Sequence, residues 1–218
     1  MSKAQNTTFL IVTAIIAMTA GLWLASNNSS STDNTTPPRI QGAIYSSEKK
    51  VQSFNLVDHL GNPFTENDFK NRWSLLFVGY THCPDVCPST LNLMASVNNE
   101  LSAQAIQPPS IIFLSIDPER DTVDTIKNYV EYFNPEFTGV TGSLTEIDKL
   151  SRNLNAVYKK APGLNGKITD KDYLMDHSSA LMLINPNGNL QSILTAPHTL
   201  GNVIDSILKS QVYFDSQQ

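Results

Sequence analysis

The chain has 218 residues, 40% of them hydrophobic and 16% charged, and a formal net charge of −5. That composition supplies one medium domain with a sizeable core. Its 15 Lys and Arg residues are scattered, which leaves no basic patch for phosphates, so nucleic acid is not an expected partner.

No charge occurs between Lys3 and Asp33, and Phe9 to Ala25 is apolar apart from two threonines. At about 1.5 Å per residue this run spans about 25 Å, the short end for a transmembrane helix and the long end for a signal-peptide core. Bulky Trp23 spoils the small-residue pattern that cleavage after Ala25 would need. Residues 1–25 therefore read as an uncleaved membrane anchor, and with no cysteine after the run a lipoprotein anchor is excluded. Lys3 and the terminal amine face Asp33 and Arg39 across the segment, a weak positive-inside bias that puts the remainder outside the cytoplasm, in a bacterium on the periplasmic side of the inner membrane. Residues 26–39, which include SNNSSSTDNTTPP, are too polar to fold and read as a flexible linker. The folded domain spans 40–218.

Within it, Phe54 to Val57 and the turn Asp58 to Asn62 predict a β-hairpin ahead of a core strand at Leu75 to Val78. Ser89 to Ala103 has helical periodicity, Ile111 to Ile116 is a buried strand, and Thr122 to Phe133 is an amphipathic helix with Asp121 as its expected N-cap. A short strand at Phe137 to Thr141 precedes a helix from Leu144 to Tyr158. Ala180 to Ile184 and Leu190 to Leu194 form a hairpin through Asn185 to Asn189, and Thr199 to Ser210 is a closing helix. This order predicts an α/β fold, a thioredoxin-like sandwich with an extra N-terminal β-hairpin.

The only two cysteines, Cys83 and Cys87, lie in GYTHCPDVCP directly after the core strand. Pro88 suits a helix start, which puts Cys87 at a helix N-terminus, where the macrodipole and free amides favour thiolate. Residues four apart on one turn share a face, with Cα atoms roughly 6 Å apart, so the pair can chelate a soft ion or close a small disulfide. As a purely structural staple it would be poor, because so short a loop removes little chain entropy. Metal binding and redox exchange both stay open.

Of the four histidines, His59 lies in a turn and His198 in a Pro-containing loop, and both are expected to be solvated. His82 adjoins Cys83 but points elsewhere if the segment is extended. His177 differs: in a thioredoxin-like fold the loop Asp176 to Ala180, before the C-terminal hairpin, faces the cysteine pair. Thioredoxins carry a cis-proline there, whereas this chain places Ser178 at that point beside an imidazole. Two thiolates and one imidazole make a soft three-point site, and zinc in a structural site wants four protein ligands, so copper is the better match.

Three blocks, GYTHCPDVCP, SIDPERDT from Ser115 to Thr122 and DHSSALMLINPNG from Asp176 to Gly188, together resemble the Sco/SenC family of copper-binding assembly factors for cytochrome c oxidase. The resemblance covers about Ile40 to Leu208. It implies that Cys83, Cys87 and His177 ligate one copper ion, and that the protein helps build the dinuclear copper centre of an oxidase subunit. The implied partners are that copper-receiving subunit and an upstream copper donor or thiol reductant. Asp117 and Arg120 match the family's acidic-basic motif, and a loop-stabilising role is expected of them, since Asp117 before Pro118 has a local hydrogen-bonding explanation.

Two classes of function fit the constellation. A metallochaperone would hold copper on all three groups and pass it on. A membrane-anchored thiol–disulfide oxidoreductase would use Cys83 and Cys87 as its catalytic redox pair, with Cys83 attacking and Cys87 resolving. A peroxide-reducing reading lacks the arginine that such a turn would need. His177 discriminates, because exchange needs no imidazole.

Overall fold

The computed structural model describes residues 14–23, 36–163, 165–169 and 172–218. The chain divides into two units, Met1–Thr36 and Pro37–Gln218. In the first, residues 14–23 are helical. Among the described residues no helix is long and apolar enough to cross a membrane, so the membrane helix expected over 1–25 does not appear there. The remainder of that segment, and most of the linker expected over 26–39, lie outside the described residues.

In chain order the second unit runs β1 (Gly42–Lys50), β2 (Leu56–Asp58), β3 (Pro63–Phe64), β4 (Ser74–Gly79), α1 (Val86–Ala103), β5 (Ser110–Ser115), α2 (Val123–Phe133), β6 (Thr138–Thr141), α3 (Leu144–Asn153), β7 (Tyr158–Pro162), β8 (Tyr173–His177), β9 (Leu181–Ile184), β10 (Asn189–Leu194) and α4 (Leu200–Asp215). Eight strands form one sheet in the order β1-β10-β9-β4-β5-β6-β2-β3, while β7 and β8 pair separately.

Every residue of β4 (SLLFVG) is buried, as a continuous apolar run requires of a strand covered on both faces. It lies parallel to β5 across the α1 crossover, and β5 lies parallel to β6. β9 runs antiparallel to β4 and β10 antiparallel to β9. A βαβ unit followed by a ββα unit on one sheet is the expected thioredoxin-like α/β arrangement. The expected hairpin is there as β2 and β3, with Asp58 Oδ1 accepting the N–H of Leu60 at 2.9 Å and of Asn62 at 2.8 Å to close its turn. α1 buries Leu91, Met94, Val97 and Leu101, one stripe at helical spacing, and packs beside α2 and α4.

Several elements depart from the sequence reading. β1 (GAIYSSEKK) has no apolar alternation and no fully buried residue; pairing with β10 makes it a strand, with a register shift between Ile44 and Lys49. β7 and β8 also escape the pattern, because YKKAP is charged and ends in proline. The helix predicted to reach Tyr158 stops at Asn153, where Asn155 at φ 60° turns the chain out of the helical region. Thr122, not Asp121, caps α2 by accepting the N–H of Thr125. α4 runs past Ser210 to Asp215, burying Tyr213 and Phe214.

β4 and β5 end together, with the Ile116 N–H donating to the Gly79 carbonyl at 2.9 Å. The loops that leave them, 80–85 and 116–122, therefore lie side by side at the carboxyl end of the parallel strands, where α/β sheets place their sites.

Candidate metal centre

The cysteine loop is pinned from below by Asp121. This buried carboxyl accepts the Thr81 N–H at 2.9 Å and hydroxyl at 2.6 Å, together with the Ser115 hydroxyl at 2.6 Å. Asp121 thus stitches the β4–α1 loop to the β5–α2 loop, a task that outcompetes the N-cap role expected of it.

Helix α1 starts at Val86, and its N-cap residue Asp85 makes no side-chain capping bond. The sulfur of Cys83 takes that place by accepting the Cys87 N–H at 3.4 Å, so one free amide of the first turn meets a sulfur rather than an oxygen. Cys87 is wholly buried and Cys83 half-buried. Gly79 makes room for the buried thiol: a Cβ there would lie 2.9 Å from Cys87 Sγ and 2.8 Å from the Phe113 ring.

The two sulfurs divide the ionisation between them. The Cys83 thiol is pulled down to about 3, first by the hydrogen bond from the Cys87 thiol and then, against a burial penalty, by His177 and the main-chain N–H groups of Asp85 and Cys87. The Cys87 thiol is pushed up by the same bond and by burial. The arrangement therefore favours thiolate at the accessible sulfur and thiol at the buried one.

His177, the last residue of β8, brings its Nε2 to 3.5 Å from Cys87 Sγ. Its Nδ1 lies 3.0 Å from the Ser178 carbonyl oxygen. A carbonyl only accepts, so Nδ1 carries a hydrogen there, and Nε2 is the ring nitrogen turned toward the sulfurs, the one a metal would take. Phe77 and Tyr80 hold the ring edge-on at centroid distances of 5.9 and 6.1 Å. The ligand atoms of Cys83, Cys87 and His177 all lie within 4.8 Å of one another, and among the described residues they are the only such group of three or more.

The other histidines fall elsewhere. His59, expected in solvent, is buried, and its Nδ1 accepts the Gly139 N–H at 3.1 Å. His198, also expected in solvent, is half-buried, with Nε2 2.7 Å from the Ser179 carbonyl. His82 points away from the sulfurs, its Nδ1 3.1 Å from Thr81 Oγ1 and 3.5 Å from Asp121 Oδ1. A groove of about 710 Å³ opens over Cys83 and His177, walled by Val86 and Leu93 of α1, by Met175 and by His198. Sequence reasoning assigned no role here to Tyr80, although it lies in the cysteine block, nor to Tyr173, which carries no motif of its own.

The sequence profile described as SCO1/SenC matches residues 43–211 of this chain. The chain belongs to the SCO1/SenC family. Relatives include the bovine (Bos taurus) protein SCO2 homolog, mitochondrial, 34% identical over 214 residues, covering 96% of this chain and 77% of that one. The human (Homo sapiens) protein SCO1 homolog, mitochondrial, is 37% identical over 155 residues, covering 71% of this chain and 50% of that protein. The chain thus spans only half the length of the human relative. Among solved structures, that of Arabidopsis thaliana ScoI with copper bound is 32% identical with a TM-score of 0.67, covering 73% of this chain and 96% of the other. For this SCO1/SenC member, the matched region contains both cysteines and His177.

Proposed function

We propose that this chain is a copper metallochaperone that assists assembly of the dinuclear copper centre of cytochrome c oxidase, holding one copper ion on Cys83, Cys87 and His177. The observation that carries the reading is the convergence of two sulfurs and an imidazole nitrogen within 4.8 Å of one another. Soft thiolates in a low-coordinate set favour Cu(I), and a structural zinc site would call for a fourth protein ligand. The copper-bound Arabidopsis relative supports the same choice of metal. Loading displaces the one proton held by Cys87, since metal binds thiolate. The groove over Cys83 leaves the site open for transfer to the receiving oxidase subunit. In this reading residues 1–25 anchor the protein, 26–39 tether it, and 40–218 form the copper-binding domain outside the cytoplasm.

The full chain, reduced and titrated with Cu(I), should bind one equivalent per chain. Replacing either cysteine with alanine should abolish tight binding. Undiminished retention by the Cys83→Ala, Cys87→Ala double variant would refute the proposal.

The accessible thiolate of Cys83 above a buried thiol favours a second activity at the same site, thiol–disulfide exchange. Cys83 attacks a partner disulfide and releases one partner thiolate. Cys87 then loses its proton and attacks Cys83 Sγ, closing the Cys83–Cys87 bond and releasing the second partner thiolate. Two electrons pass to the partner, whose thiolates take up protons, and the reduced cysteines are then ready to receive metal.

A further inference from the structure

His177 does not sit on the sheet that carries the cysteines. Its strand β8 pairs only with β7 among the described residues, so no ladder hydrogen bond fixes the imidazole relative to the β4–α1 loop. Placement falls to side chains. Alternation along a strand puts Tyr173, Met175 and His177 on one face of β8, and Tyr173 and Met175 are both buried.

Tyr173 is held at three points. Its hydroxyl donates to Asp117 Oδ1 at 2.6 Å. Its carbonyl accepts from Arg120 Nη1 at 3.0 Å, and the Arg120 Cζ lies 3.6 Å from its ring centroid. Asp117 in turn accepts from Arg120 Nε at 2.6 Å, and Lys160 of β7 brings its ammonium to 4.4 Å from the same ring. Burial and the Asp117 acceptor both push the Tyr173 ionisation up, so the hydroxyl remains a donor. Two residues further on, the main chain of Met175 is hydrogen-bonded to the Tyr80 hydroxyl, and Tyr80 is one of the two rings against His177.

We propose that Tyr173 is a positioning residue for His177: locked onto Asp117 and Arg120, it fixes the register of β8 and thereby holds Nε2 against Cys87. A strand rises about 3.3 Å per residue and reverses its faces at each step, so a slip of one residue at Tyr173 would turn the imidazole away from the sulfurs. Asp117 and Arg120, which stabilise their own loop, thus also act on the site through Tyr173. The inference rests on the copper reading above.

A double-mutant cycle on the full chain tests it, with Cu(I) affinity measured by chelator competition. Tyr173→Ala is expected to weaken Cu(I) binding roughly 10–100-fold, the range found when a partner that orients a metal ligand is removed. In the His177→Ala background the same change should cost nothing further, because residues acting through one group are not additive. The rate at which the variant reduces a model disulfide should change no more than it does in His177→Ala. Should Tyr173→Ala fail to fold, Tyr173→Phe keeps the stacked ring and removes only the bond to Asp117; a loss confined to the His177 background is again expected. Equal losses in both backgrounds would overturn the positioning role while leaving the copper site standing. If His177→Ala itself leaves affinity unchanged, the assignment of His177 as a ligand fails, and the positioning role with it.

Discussion

Oxidising Cys83 and Cys87 to a disulfide is expected to abolish copper uptake by the chain, and reduction to restore it. Two of the three proposed ligand atoms are these sulfurs, and a disulfide sulfur has no thiolate charge to offer a cation. The pair is built to close. Cys83 lies in the loop before the helix and Cys87 in its first turn, with the Cys87 N–H already on Cys83 Sγ at 3.4 Å and the two sulfur groups hydrogen-bonded to each other. Once closed, only His177 remains, and a lone imidazole binds Cu(I) far more weakly than a chelating set with two thiolates. Copper and oxidant therefore compete for one pair of atoms, and the site is either loaded or oxidised. The measurement is a Cu(I) titration of a sample shown to be thiol-free by alkylation and mass. Stoichiometric binding by that sample would contradict the account.

His177→Ala is expected to separate the two activities. Loss of one of the three proposed ligand atoms should lower Cu(I) affinity at least as much as loss of a group one shell further out, about 10–100-fold or roughly 1.4–2.7 kcal/mol. Disulfide exchange should persist, because it runs on two sulfurs. A modest rate change is compatible, since the imidazole contributes to the low Cys83 ionisation without being its main cause. Chelator competition and the rate of reduction of a model disulfide, both on the same variant, read the two effects. Unchanged affinity with collapsed exchange would make His177 a redox auxiliary and replace the chaperone reading by the enzyme reading.

The parts of this site that were legible in the sequence are those with local signals. Cys83 and Cys87 announce themselves by spacing and by the strand that precedes them, and β4 by an unbroken apolar run. His177 is far away in sequence, and its membership followed from the order of elements and from the family blocks around it. What stayed hidden depends on pairings across the fold. Asp121 reads locally as a cap for α2, but its carboxyl serves Thr81 and Ser115. His59 reads as a turn residue, yet the Gly139 N–H draws it into the interior. β1 owes its strand character to β10, and the hairpin that carries His177 is too short and too charged to show a period. The bond from Tyr173 to Asp117 joins residues 56 positions apart, a distance over which no pattern in one sequence can speak.

The most direct test of the central claim is X-ray absorption at the copper edge of the reduced, Cu(I)-loaded full chain. The account predicts a copper ion with two sulfur neighbours and one imidazole nitrogen, the nitrogen signal vanishing in His177→Ala and the sulfur signal in the double cysteine variant. A shell of nitrogen and oxygen donors alone, or a spectrum unaltered by either substitution, would contradict it.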